Sequence, residues 1–137
     1  MKKVSLLLCA LFLVSAAAFA QQLTQVDRDK DVQYLQQTSD GVVAATKGLS
    51  AAQMKFKPAP DRWSVAETLE HIAVAEDFIF QNVTDKIMKA PLREHVADSP
   101  LGQPLDAYEW LLFNGAHSER HTKQILEVKA DPNFPKN

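Results

Sequence analysis

Cysteine is all but missing: Cys9 is the only one in 137 residues. It sits among Leu6, Leu7, Leu8 and Leu11, inside an apolar stretch. A lipid-modified cysteine would stand at the end of such a stretch, where cleavage occurs. Beyond residue 20 there is no thiol, which excludes disulfides, thiolate catalysis and cysteine-ligated zinc there. An apolar run of spanning length is also lacking. Val4 to Phe19 is apolar or small but covers only about 16 residues, against roughly 20 for a spanning helix. No segment alternates with period two for long enough to argue a strand, and there is no internal repeat. Basic charge is not in excess, at 15 Lys and Arg against 17 Asp and Glu.

The first residues have the three-part layout of a secretory signal peptide. Met1-Lys2-Lys3 is basic, the apolar stretch follows, and Ala18-Phe19-Ala20 is an A-x-A cleavage site before polar Gln21-Gln22. The expected organisation is a signal peptide over 1–20 and one helical domain over 21–137. The alternative is a retained N-terminal anchor. Removing 20 of 137 residues leaves 117, enough for one domain. Lys2 and Lys3 leave with the signal, so 13 basic residues face 17 acidic ones, a formal charge of −4. That balance argues against nucleic acid or an anionic membrane as a partner. The expected location is periplasmic or secreted. ATP, nicotinamides and cytosolic thiols are not ordinarily available there.

The remainder reads as helices. A first helix is expected from about Asp27 to Lys47, with Val32, Leu35, Ser39, Val42, Thr46 and Leu49 as its apolar stripe. Gly48 is its stop signal. Ser50-Ala51-Ala52-Gln53 is a capping box opening one short turn. Pro58, Pro60 and Asp61 form a stiff connector. Ser64-Val65-Ala66-Glu67 is a second capping box, and it opens a helix running to about Ala90, before Pro91. Val65, Leu69, Ile72, Ile79, Val83 and Ile87 share one face. Pro91 to Gln103 reads as a broken linker. A last helix is expected from Pro104 to Lys129, with Leu105, Trp110, Leu111, Ala116, Ile125 and Val128 as its apolar face.

Four histidines lie beyond the signal: His71, His95, His117 and His121. His117-Ser118-Glu119-Arg120-His121 is H-x-x-x-H, which places two imidazoles one turn apart on one helical face. Such a pair can share a metal ion, and it also arises from packing alone. Trp110, Asn114, His117, His121 and Ile125 step by four, three, four and four, so the pair falls on the buried stripe. Unpartnered buried imidazoles are costly. His71 lies at the edge of the second helix's apolar face, beside Thr68, Ala75 and Phe78. Antiparallel packing of the second and last helices would bring it to the pair. Three imidazoles with an open position form a catalytic metal set. His71 could equally be a satisfied core-edge histidine, and His95 reads as a solvated loop residue. Ser118 stands where a zincin motif needs Glu. Glu67 reads as a capping residue one turn from His71, and as the one carboxylate in reach of it. Trp63 and Trp110 read as core residues.

Trp63-Ser64-Val65-Ala66-Glu67-Thr68-Leu69-Glu70-His71-Ile72, with His117-Ser118-Glu119-Arg120-His121 far downstream, resembles the DinB-like (DinB/YfiT) superfamily. The resemblance implies an all-α, up-down four-helix bundle holding a divalent metal through three histidines, which carry over to His71, His117 and His121. The family includes thiol-dependent S-transferases and isomerases and members described as metal-dependent hydrolases. A Lewis-acid metal that lowers the pKa of a bound water or thiol is therefore implied, with a small-molecule substrate. Zinc and nickel lead as the metal, with iron or manganese as alternatives. The chain departs from the family between its second helix and its H-x-x-x-H helix, where Pro91 to Gln103 replaces another long helix. A bundle reduced to three long helices, up-down-up, is expected. Exposed apolar surface from the missing helix then suggests a homodimer or marginal stability. The competing function is a non-catalytic metal- or ligand-binding module.

Overall fold

The computed structural model describes residues 23–87 and 96–136. The proposed signal peptide and His95 lie outside the described residues. The elements are α1 (Gln25–Thr46), α2 (Ala51–Lys55), α3 (Val65–Ile87), β1 (Val96–Asp98), β2 (Pro104–Asp106) and α4 (Ala107–Lys129).

Each helix start has a side-chain cap. Thr24, Ser50 and Asp106 open α1, α2 and α4, each paired with a return contact from the third helical residue. Ser64 does the same for α3: its hydroxyl accepts from the Glu67 N–H, and Glu67 accepts from the Ser64 N–H at 2.8 Å. These bonds satisfy backbone donors that a first turn leaves orphaned. Gly48 follows the C-cap of α1 with φ of 77°, a left-handed position suited to glycine.

Contacts along α4 set the directions of the other two long helices. Tyr34 lies over Gly115 and Gly41 over Thr122, while the Lys129 ammonium donates to the Ala45 carbonyl at 2.6 Å. Rising numbers meet rising numbers, so α1 and α4 run parallel. Against α3 the order reverses: Glu76 meets Ser118 and Ile79 meets Trp110. The result is the expected up-down-up, all-α arrangement of three long helices.

Two apolar clusters hold it together. Ala45, Val65, Ile72, Ile125 and Val128 form one, flanked by Leu49, Met54, Phe56 and Phe134. Ile79, Leu105 and Trp110 form the other, flanked by Val83 and Phe113. The α3 face follows the periodicity read from the sequence as far as Val83.

Three expectations need correction. The α1 stripe is displaced by about one residue: Asp31, Thr38 and Ala45 are buried, whereas Val32 and Ser39 are exposed. The helix comes close to α4 at Gly41 and Ala45, where small residues stand. On α4, Ala116 is exposed rather than on the apolar face. The end of the linker and the first residues of the expected last helix form a two-stranded antiparallel hairpin, Val96 facing Asp106 and Asp98 facing Pro104. Gly102, at φ of 77°, closes its turn with N–H to the Ser99 carbonyl at 3.1 Å. Three-residue strands are too short to show alternation. Leu105 in β2 is buried against Trp110 and Ile79, and Asp106, not Pro104, is the residue from which α4 starts.

Candidate metal centre

The two apolar clusters leave a gap midway along α3 and α4, and the histidines occupy it. His71 comes from α3, while His117 and His121 come from one face of α4. One ligand atom from each lies within 4.8 Å of the others. His71 Nε2 and His117 Nε2 are 3.1 Å apart. The ring centroids are 4.4 to 5.0 Å apart. The structure thus brings His71 to the H-x-x-x-H pair through antiparallel packing.

The proton positions follow from the neighbours. With the Gln124 amide oxygen toward the ring, His121 Nδ1–H donates to it at 2.9 Å. The lone pair then sits on His121 Nε2, which is buried without a partner among the described residues. His117 Nδ1 is also buried and unpartnered. Two bare Nε2 lone pairs at 3.1 Å, from His71 and His117, repel unless a proton or a cation lies between them. Orphaned buried polar atoms are uncommon and costly. The donor set therefore fits a metal ion: three nitrogens converge and one carries an unused, buried lone pair.

Electrostatics favour the ligating form. His117 is pushed down to about 4, by burial first and then by repulsion from His121, His71 and Arg120. Burial also lowers His121, partly opposed by its bond to Gln124. Both shifts favour the neutral ring, the form that metal ligation requires.

Trp63 is not the core residue expected: its indole is 40% exposed. It stacks over His121 at 6.2 Å with rings 14° from parallel, and meets the His71 ring edge-on at 5.0 Å. Trp110 is buried. Glu67 does not reach His71. One of its oxygens accepts from the Ser64 N–H and hydroxyl, and the other from Lys57 at 2.8 Å. Those bonds, the one from Lys57 first, hold its carboxyl down at about 2.

A cavity of about 680 Å³ opens beside the three rings. Its walls come from α3, from α4 and from Pro100 and Leu101 in the hairpin turn. Sequence reasoning missed the roles of Gln124, Arg120 and the hairpin. Gln124 is three residues beyond His121 on the same helix, so that contact carried a local signal. The position of Trp63 depends on how two helices meet, and had none.

A family model for the DinB superfamily matches residues 34–96. The matched segment takes in much of α1, all of α2 and α3, and His71; it ends before His117 and His121. No curated protein and no solved structure matches the chain.

Proposed function

Membership of the DinB superfamily, supported over residues 34–96, is the premise from which we propose that this chain binds a divalent transition metal through His71, His117 and His121. The observation that carries the reading is the buried, unpartnered Nε2 of His121 beside the converging His71 and His117 nitrogens. Zinc or nickel suits three neutral imidazoles, with iron and manganese as alternatives. When bound, such a metal supplies a Lewis acid. The protein's own part is to fix the ligands. Gln124 selects the His121 tautomer, and Trp63 covers the rings. Asn114 Oδ1, three residues before His117, is itself buried without a partner; it is the acceptor type that a ligating His117 needs for its Nδ1–H. The reaction class is hydrolysis or group transfer on a small molecule.

One observation favours the second reading, a non-catalytic metal-binding module. No carboxylate or tyrosine lines the cavity beside the histidines among the described residues, and Glu67 is committed to its helix cap. Export to the periplasm or beyond remains part of the proposal and rests on the basic, apolar and A-x-A sequence of residues 1–20.

Elemental analysis of the purified protein, beside the His117→Ala variant, tests the metal. About one equivalent in the parent and a clear loss in the variant is the expected result. A parent that holds none and cannot be loaded with zinc or nickel overturns it.

A further inference from the structure

The cavity beside the histidines is one-sided in its chemistry. Phe78, Ile79, Leu101, Trp110 and Phe113 supply an apolar wall, and Arg120 is its single charged lining residue. Phe78 and Leu101 are 57% and 59% exposed, although each faces this space. No ion pair of Arg120 is found among the described residues. Its neighbours do pair: Lys123 with Glu119 at 2.7 Å and Arg62 with Glu127 at 3.8 Å. Arg120 also lines a second cavity, of about 430 Å³, which shares Trp63 and His121 with the first and is lined by Asp61 and Glu127 as well. A second unmet group lies on the same helix. Trp110 is 6% exposed and lines the same apolar cavity, yet its Nε1–H has no acceptor among the described residues. A buried indole N–H ordinarily finds one. Arg120 lies ten residues beyond Trp110 on α4, which is about 15 Å of helix. The histidines at 117 and 121 stand toward the Arg120 end.

We propose that this cavity takes an elongated organic anion, its aryl or alkyl body along the Phe78, Leu101 and Phe113 wall and its carboxylate or phosphate head at Arg120 beside the histidines. A volume near 680 Å³ suits a small organic molecule. A guanidinium favours a planar anionic head through paired, charge-assisted hydrogen bonds. The larger cavity's own lining holds no carboxylate, so an amine of the same shape would find no counter-charge on its walls. The inference names the substrate class for the site proposed above, and rests on reading the histidine cluster as its reaction centre.

Isothermal titration with 4-phenylbutanoate, 4-phenylbutanamide and 4-phenylbutylamine tests it, on protein stripped with EDTA and on zinc-loaded protein. The expected result in the metal-free protein is that the acid binds about tenfold more tightly than the amide, and the amine weakest. Arg120→Gln should erase the acid's advantage over the amide, with a far-UV circular dichroism spectrum and Tm matching the parent's to show that the variant is folded. Arg120→Lys should restore part of the advantage. Phe78→Ala should weaken acid and amide alike. Equal binding of acid and amide, failure of all three probes to bind, or an acid preference that survives Arg120→Gln overturns the proposal. A preference that appears only with zinc and ignores Arg120 leaves the metal reading standing without this one. An Arg120-dependent preference in protein that takes up no metal does the reverse.

Discussion

At the scale of single residues, the histidine cluster depends on groups that do not themselves ligate. Gln124 holds the Nδ1–H of His121 and so directs its Nε2 lone pair inward. Losing such a partner typically lowers metal affinity by about 10- to 100-fold. Gln124→Leu should show a drop in that range by competition with a chromogenic chelator, and Gln124→Glu should retain binding. Unchanged affinity in Gln124→Leu would mean that the tautomer is set some other way. Glu67 offers a separate test, away from the histidines. Its carboxyl is held at about 2 by Lys57 and Ser64. A depressed folded-state pKa means that this contribution to stability is fully present above the ordinary carboxylate value. It fades as pH falls toward 2. The side chain is solvent-exposed, so high salt should weaken the effect. Carboxyl NMR titration should find Glu67 among the most acidic glutamates, and Ser64→Ala should move it upward. A Glu67 titrating near 4.5 would count against the cap geometry.

At the scale of the helices, the α1–α4 contact is set by close approach rather than by an apolar stripe. A Cβ built on Gly115 would lie 2.4 Å from Tyr34 Cε1 and 2.8 Å from Cδ1, so the ring must move. Tyr34 is held in place through its hydroxyl, which donates to Glu119 at 3.1 Å. Overpacking costs about 1–3 kcal/mol, and Ala in place of Gly returns about 1 kcal/mol of helix propensity. Gly115→Ala should therefore destabilise by about 1 kcal/mol in urea unfolding. Combined with Tyr34→Ala it should cost less than the two single changes added together. Simple additivity would show that the two residues do not meet. This contact also explains why the α1 stripe was misread. Val32 and Val43 are apolar but exposed, while Asp31, Thr38 and Ala45 lie inward. With so few large apolar residues on this helix, periodicity gave no firm phase. On α3, Val65, Leu69, Ile72, Ile79 and Val83 set the phase unambiguously, and the expected face is the buried one.

At the scale of the molecule, three helices and a hairpin leave apolar side chains uncovered. Val74, Phe78 and Phe80 of α3 are each more than half exposed. The homodimer proposed from the shortened bundle would cover part of this surface. Multi-angle light scattering should then show a mass near twice that of the monomer at micromolar concentration. A monomer over the whole concentration range overturns that expectation. Metal should also stabilise the whole fold, because its ligands come from two separate helices. Zinc at 100 times its dissociation constant is worth about 2.7 kcal/mol, several degrees or more in Tm for a domain of this size. EDTA should reverse the shift, and the His117→Ala variant should show none.

Local chemistry lets the sequence determine much of this protein. Capping boxes, Gly48 and the spacing of His117 and His121 act within one or two turns, so helix starts and stops and the shared face of that pair are readable along the chain. The segment 91–103, with Pro91, Pro100 and Gly102, also reads as too short and too broken for another long helix. Tertiary structure alone decided what crosses between elements. It brought His71 to the pair, turned α1 by a residue, laid Trp63 over the imidazoles and folded the linker so that Pro100 and Leu101 wall the cavity. The physical reason is that these contacts depend on the direction and depth at which helices meet. Those follow from side-chain volumes summed over whole interfaces, which no short window of sequence contains.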